Sequence, residues 1–297
     1  MANQALNLAY ELHGDPSDPI LVIIQGLGMP LTATPPELVE KLVKKGLCLL
    51  LVDNRDIGQS EKFDRTPPNI IWEAIKYQLG FKVKYFYKLD DMMNDINALL
   101  VKLDIKSIHI LGVSMGGMIA QSMAIHHPKK IKSLISIMST TGNPKLPGPK
   151  WMVAKFILLG SRNKEIHDSS SFYHQLWKLI GSPKYPRSTE ELNQFVRRIM
   201  GRGMTAGGSA RQLLAILTSR NRCADLESLT IPALIIHGDE DNLVPVECGI
   251  NTAESIKDSI LWRIPGMGHD FPYELIDEFT DRISQHVLSA EKGHRNQ

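Results

Sequence analysis

The chain has 297 residues, of which 43% are hydrophobic and 22% are charged, and its formal net charge is +2 at pH 7. This composition is typical of a globular protein that buries a sizeable core, and it excludes a wholly disordered chain. The balanced charge shows no sign of the concentrated basic surface that nucleic-acid-binding proteins carry. We therefore expect no nucleic acid among its partners.

The cysteines and the apolar runs indicate the compartment. Cys48, Cys223 and Cys248 are odd in number and widely spaced, without the spacing of a metal site, so they predict free thiols in a reducing environment. The first residues lack a basic start followed by an apolar stretch, and no apolar run approaches the roughly 18 residues of a membrane span. We expect a cytoplasmic protein without an integral membrane segment and without a metal.

The first half of the chain alternates between apolar runs typical of buried strands and stretches with helical spacing. The strands are predicted over residues 6–12, 20–24, 47–52, 107–111 and 134–138. The helices are predicted over residues 36–43, 70–79, 91–103 and 118–125. Strands that alternate with helices predict a parallel sheet covered by helices on both faces.

The pattern loosens between residues 62 and 89, where residues 81–87 alternate bulky and basic side chains. This stretch is open to three interpretations: a flap over a substrate pocket, a surface that touches a membrane, or an ordinary packed excursion of the chain.

The second half begins with a proline-rich linker at residues 142–149, and up to about residue 228 it contains only helix-like segments. Those segments are predicted over residues 151–159, 172–180, 190–200 and 210–219. The sheet then resumes with strands predicted over residues 232–237 and 260–264, followed by a last helix over residues 272–288. We therefore predict an α/β core of residues 1–140 and 229–297, with a helical cap of residues 141–228 over the carboxyl edge of the sheet.

The run Gly112-Val113-Ser114-Met115-Gly116 fits the pattern G-x-S-x-G between a predicted strand and a predicted helix. The sharp reversal needs small residues two positions before and after the serine, because side chains there would collide with the neighbouring strand and helix. The pattern predicts that Ser114 is an exposed nucleophile. The alternative is a glycine-rich turn in which the serine merely caps the helix.

Two later loops carry the groups that a serine nucleophile needs, namely a base to take its proton and an acid to orient that base. The loop after the sixth predicted strand contains Asp239, Glu240 and Asp241, and the loop after the seventh contains His269. Chemistry alone does not separate the three carboxylates.

With these residues the chain resembles the α/β-hydrolase superfamily, in particular its members with a helical cap. Beyond the serine turn, the resemblance is strongest at residues 53–60, 237–245 and 266–269, and it spans nearly the whole sequence. Residues 142–144 and 268–270 are similar to those of bacterial carboxylesterases and methylesterases. The resemblance implies the α/β-hydrolase fold, with a mostly parallel central sheet flanked by helices and an inserted helical cap.

Carried over by position, the resemblance implies a catalytic triad with Ser114 as nucleophile, Asp241 as acid and His269 as base. It also implies that the backbone N–H groups of Leu27 and Met115 bind the oxyanion of the tetrahedral intermediate.

The loop that contains Leu27 departs from the family pattern at one position. Gln25 stands where the family more often has histidine. Because the expected donor in this loop is a backbone N–H, the departure affects the expected orientation of the loop more than the expected activity. Asp53, Arg55 and Ser60 are expected to fix a turn near the site rather than to act in catalysis.

The expected function is hydrolysis of a small-molecule carboxylic ester through an acyl-enzyme. Apolar residues of the cap favour a hydrophobic acyl or alcohol group; they include Trp151, Phe156, Phe172, Trp177 and Met204. No cofactor is expected, because the glycines at 26 and 28 lack the third glycine of a dinucleotide-binding fingerprint. Acyl transfer, perhydrolysis, carbon–carbon bond cleavage and a binding-only module remain as alternatives.

Overall fold

A computed structural model describes residues 6–63, 65–160 and 169–295 of the chain. Its seven-stranded sheet has the order β1-β3-β2-β4-β5-β6-β7. Only β1 runs antiparallel to its neighbour, and the other neighbouring pairs are parallel. The strands are β1 (Tyr10–His13), β2 (Ile20–Ile24), β3 (Cys48–Val52), β4 (Ile108–Val113), β5 (Ile131–Ile137), β6 (Ala233–Gly238) and β7 (Ile260–Ile264). The predicted fold class is confirmed.

Helices cover both faces of the sheet because its central strands are apolar on both sides. Val22 and Ile24 of β2 pack in one buried cluster with α3 and α4, whereas Leu21 and Ile23 pack in a second cluster with α1 and α11. The described helices are α1 (Pro36–Lys44), α2 (Ile70–Gln78), α3 (Leu89–Lys102), α4 (Met115–His126), α5 (Trp151–Gly160), α6 (Ser170–Ile180), α7 (Thr189–Arg202), α8 (Ala206–Leu217), α9 (Cys223–Leu226), α10 (Val246–Glu254) and α11 (Ile276–Arg295).

The segment of residues 141–228, called the cap segment below, lies between β5 and β6. Its described residues form α5 to α9 and no strand. Helices α5, α6 and α7 share a third apolar cluster, which reaches Met29 and Leu243 in loops at the carboxyl edge of the sheet. The cap segment therefore lies over that edge. The division of the chain into a core and a cap stays a prediction.

Some element boundaries differ from those predicted. Strand β5 begins three residues earlier than expected, at Ile131, which pairs with Ile108 of β4. The partly exposed Lys132 interrupts the apolar run there and hid the start of the strand. Helix α10 was not predicted, and the last helix begins at Ile276 after a short 3₁₀ turn at Tyr273–Leu275.

The stretch of residues 62–89 is partly packed and partly exposed. Tyr87 is buried, and its hydroxyl donates a hydrogen bond of 2.6 Å to Asp56. By contrast, Trp72, Leu79 and Phe81 are exposed.

Within the described ranges of the chain, no helix has both the length and the apolar character needed to cross a membrane.

Candidate active site

Ser114 occupies the turn between β4 and α4 with a strained backbone, at φ 55° and ψ −118°. The turn is tight: a Cβ added at Gly112 would lie 2.1 Å from the carbonyl oxygen of Gly116, and one added at Gly116 would lie 2.1 Å from that of Ile24. Only glycine fits at either position. The sequence thus folds locally in a way that presents the Ser114 side chain at the carboxyl edge of the sheet.

His269 and Asp241 lie on the loops after β7 and β6, and a hydrogen bond of 2.6 Å joins His269 Nδ1 to Asp241 Oδ2. The other carboxylate oxygen of Asp241 accepts hydrogen bonds from the backbone N–H groups of Leu243 and Val244, at 2.9 and 2.8 Å. Burial raises the pKa of Asp241, but the adjacent His269 and His237 outweigh it and hold that pKa well below its usual range. Asp241 is therefore a carboxylate that holds one ring nitrogen of His269.

The other two candidate acids point elsewhere. Asp239 accepts a hydrogen bond of 2.9 Å from Arg263 Nε, and Glu240 is exposed to solvent. Of these three carboxylates, only Asp241 is hydrogen-bonded to His269 in the part of the chain that the structure describes.

Ser114 and His269 line the same cavity, which lies between the edge of the sheet and the cap segment. Apolar side chains make up most of its walls; those of the cap segment include Ile157, Phe172, Leu176, Trp177, Phe195 and Leu213. Two of the predicted apolar cap residues, Phe172 and Trp177, are thus in the cavity wall, whereas Trp151 is exposed. None of the described residues between 62 and 89 lines the cavity, which favours the packed excursion over a flap.

The loop that follows β2 lies directly beside Ser114. A Cβ added at Gly26 would be 3.7 Å from Ser114 Oγ. The N–H groups of Leu27 and Met115 donate no hydrogen bond to any described residue. At Met115 this is expected, because the first N–H groups of a helix have no partner within it. Leu27 lines the cavity, whereas Met115 is fully buried beside Ser114 and is not among the described residues that line it. The role of both N–H groups as oxyanion donors stays a prediction.

A family model described as alpha/beta hydrolase fold matches residues 19–274 of the chain. The chain belongs to the α/β-hydrolase family. It is 22% identical to rhodomycin D methylesterase of Streptomyces peucetius, over 98% of each chain. It is also similar to the crystal structure of a hydrolase from Pseudomonas aeruginosa, with a TM-score of 0.72 and 23% identity, covering 96% of this chain and 94% of the other. A thermophilic esterase from Thermogutta terrifontis has a TM-score of 0.74 and 19% identity, covering 96% and 94%.

In this α/β hydrolase, Gln212 of α8 fixes the loop that contains Leu27. Its side-chain oxygen accepts a hydrogen bond of 2.8 Å from Gly28 N, and its side-chain nitrogen donates one of 2.8 Å to the Arg55 carbonyl. Gln25, which departs from the family pattern, is buried and donates to Thr34 Oγ1 at 2.6 Å. No local pattern could predict this role of Gln212, because Gln212 lies 184 residues from Gly28 along the chain.

The turn at residues 53–60 also holds the loop after β2 in this hydrolase. Asp53 accepts a hydrogen bond of 2.7 Å from Leu31 N, and Ser60 Oγ donates one of 2.6 Å to the Asp53 carbonyl. Arg55 forms a buried ion pair with Asp95 at 2.6 Å. Asp53, Arg55 and Ser60 are not among the described residues that line the cavity, so they take part in the turn and not in the cavity wall.

The cap segment also contacts the loop of His269. The His269 N–H donates to the Ile180 carbonyl at 2.6 Å, and Gly268 N donates to Ser182 Oγ at 2.9 Å. The Ser182 hydroxyl donates in turn to Asp270, whose other oxygen lies 3.5 Å from Arg187 Nε. Burial raises the pKa of Asp270 above its usual value, although Arg187 and Ser182 act in the opposite direction. These contacts were missed from the sequence as well.

Within the described residues, no group of three or more histidine, cysteine or acidic side chains is placed to hold a metal.

Proposed function

We propose that this α/β hydrolase cleaves carboxylic esters of small molecules, with Ser114, His269 and Asp241 as its catalytic triad. The observation that carries the proposal is the 2.6 Å bond between His269 and Asp241 at a cavity that Ser114 also lines. The three side chains come from loops at one edge of the sheet, in the chain order serine, acid, histidine.

In the proposed reaction, Ser114 Oγ attacks the ester carbonyl carbon while His269 takes the hydroxyl proton. Asp241 holds the ring of His269 and stabilises its positive charge. The carbonyl oxygen becomes an oxyanion, which accepts hydrogen bonds from the N–H groups of Leu27 and Met115. His269 then gives its proton to the departing alcohol, and an attacking water releases the acid from Ser114 by the same steps.

The apolar walls of the cavity support an ester with a hydrophobic acyl or alcohol group. The similarity to a methylesterase and to an esterase supports the ester bond as the bond that is cleaved.

Replacement of the nucleophile tests the proposal. Ser114→Ala is expected to abolish turnover of p-nitrophenyl butyrate and labelling by a fluorophosphonate probe, while the circular dichroism spectrum stays unchanged. Ser228→Ala is the matched control, because among the described residues the Ser228 hydroxyl bonds only to the Asp225 carbonyl, at 2.7 Å, and the variant should keep both activities. Full turnover by folded Ser114→Ala contradicts the assignment. Mass spectrometry of the products separates hydrolysis from acyl transfer and perhydrolysis, and a binding-only module would not be labelled.

We also propose a cytoplasmic location, which the three free cysteines Cys48, Cys223 and Cys248 support. Fractionation of cells that express a tagged form tests this, and recovery of the tag from a secreted fraction would contradict it.

A further inference from the structure

Three residues of the cap segment that line the cavity of Ser114 and His269 carry hydrogen-bond donors that no described residue accepts. Trp177 Nε1, Arg187 Nε and Nη1, and Ser209 Oγ are buried and have no hydrogen-bond partner among the described residues. The side chain of Arg187 is 6% exposed and Ser209 is 7% exposed. Buried donors in folded proteins almost always have an acceptor, so these three residues are placed to receive one.

The donors lie at two places in the cavity wall. Trp177 and Arg187 both pack on the ring of Phe195, with the two aromatic centroids 4.6 Å apart and the guanidinium carbon 4.7 Å from that ring. Ser209 lies beside the loop of Leu27, because a Cβ added at Gly28 would be 2.6 Å from Ser209 Oγ. The cap segment therefore places polar groups at two points of walls that are mostly apolar.

The charge of Arg187 is already balanced within the protein. Its Nε lies 3.5 Å from Asp270 Oδ2, and its Nη2 donates a hydrogen bond of 3.1 Å to the Phe271 carbonyl. A carboxylate in the cavity would place a second negative charge beside buried Asp270, which costs free energy in apolar surroundings. A neutral oxygen accepts from Arg187 Nη1 without that cost.

We propose that the ester substrate carries neutral hydrogen-bond-accepting oxygens, such as ketone, hydroxyl or further ester oxygens, on its apolar part, and that Trp177, Arg187 and Ser209 select for them. The proposal rests on ester hydrolysis at Ser114, and it names a class of ester within that function. Simple alkyl esters leave the three donors unpaired and are therefore poorer substrates.

Matched pairs of esters test this selection. The acyl series is p-nitrophenyl heptanoate, its 4-, 5- and 6-oxo derivatives, and the p-nitrophenyl monoester of the seven-carbon diacid. The alcohol pair is pentyl butyrate and 4-oxopentyl butyrate, followed by pH-stat. Each kcat/KM is divided by the rate of alkaline hydrolysis of the same ester. For at least one keto ester, this corrected kcat/KM is expected to exceed that of its alkyl partner by about tenfold. The corrected kcat/KM of the charged monoester is expected to fall below that of the heptanoate.

Variants that remove single donors show which residue makes the selection. Trp177→Phe keeps an aromatic ring without its N–H, Ser209→Ala removes only a hydroxyl, and Arg187→Met keeps an unbranched side chain. The ratio of keto to alkyl kcat/KM is expected to fall toward one in at least one of them. Trp262→Phe is the matched control, since Trp262 packs on Phe279 away from the cavity and should keep the wild-type ratio.

Keto-to-alkyl ratios near one in every wild-type pair overturn the proposal, and so does a high ratio that all three variants retain. Fluorophosphonate labelling of Ser114 with turnover of p-nitrophenyl heptanoate shows that ester hydrolysis stands even when this selection fails. Absence of both in the wild-type protein refutes the proposed function itself and this inference with it.

Discussion

Replacement of Gln212 by methionine tests whether the cap segment controls catalysis through the loop of Leu27. Gln212 of the cap segment is fully buried. It forms one hydrogen bond of 2.8 Å with Gly28 N and another of 2.8 Å with the Arg55 carbonyl, both in loops of the core. Methionine has a similar length but supplies neither an acceptor for Gly28 nor a donor for Arg55. The substitution therefore removes both bonds without leaving a large void.

The expected loss follows from those two bonds. Each buried backbone group that loses its partner costs about 1–2 kcal/mol, so the free energy of unfolding should fall by about 2–4 kcal/mol. The loop that holds Leu27 also loses its anchor. We expect kcat to fall by about 10- to 1000-fold, the upper figure being that for loss of a whole oxyanion donor.

Urea unfolding followed by circular dichroism gives the stability, and p-nitrophenyl butyrate hydrolysis gives kcat. Gln121→Met is the matched control, because Gln121 is equally buried and accepts a hydrogen bond of 3.0 Å from Arg222 away from the loop of Leu27. That variant should lose stability but keep kcat within about twofold of wild type. If Gln212→Met loses stability in the same way and also keeps its kcat, the loop is held by other contacts and the reasoning is refuted.

Three further changes have defined outcomes. Asp241→Asn should lower kcat by about 10³- to 10⁴-fold, whereas Asp239→Asn, which breaks only a partly exposed pair, should leave steady-state kinetics unchanged. Gly116→Ala, whose Cβ would lie 2.1 Å from a carbonyl oxygen of β2, should lower the free energy of unfolding by more than about 3 kcal/mol in urea titrations, while Gly148→Ala, with nothing within 4 Å, should not. Burial lowers the pKa of His286 to about 4, so its imidazole stays neutral in the fold while the unfolded chain takes up a proton below about pH 6.5. Stability should therefore fall by about 2 kcal/mol between pH 7 and pH 5 in urea titrations, and an equal fall in His286→Gln would contradict this origin.

The parts of the site that the sequence could predict are those that local patterns determine. The turn at Ser114 needs glycine at 112 and 116. A side chain at 112 would collide with the backbone at Gly116, and one at 116 would collide with the neighbouring strand β2. The loop of His269 follows a strand whose apolar run is visible in the sequence. Parallel strands bring such loops to one edge of the sheet, so the neighbourhood of the predicted site followed from the order of the strands.

Local patterns could not choose among Asp239, Glu240 and Asp241, because the three carboxylates are adjacent and chemically equivalent. The fold distinguishes them through the turn that follows β6. There the N–H groups of Leu243 and Val244 hold one oxygen of Asp241 and leave the other oxygen for His269. The catalytic role of Asp241 stays a prediction until its variants are assayed.

The cap segment holds both halves of the proposed catalytic machinery, which argues against a passive lid. On one side Gln212 binds Gly28 beside the proposed oxyanion donor Leu27, and on the other side Ile180 and Ser182 bind the loop of His269. These bonds are to backbone groups and thus fix the positions of the loops themselves. A motion that lifts the whole cap segment from the sheet would release both loops at once. Substrate entry that keeps the site intact must therefore use a smaller movement, and no sequence pattern within the cap segment alone could have shown this.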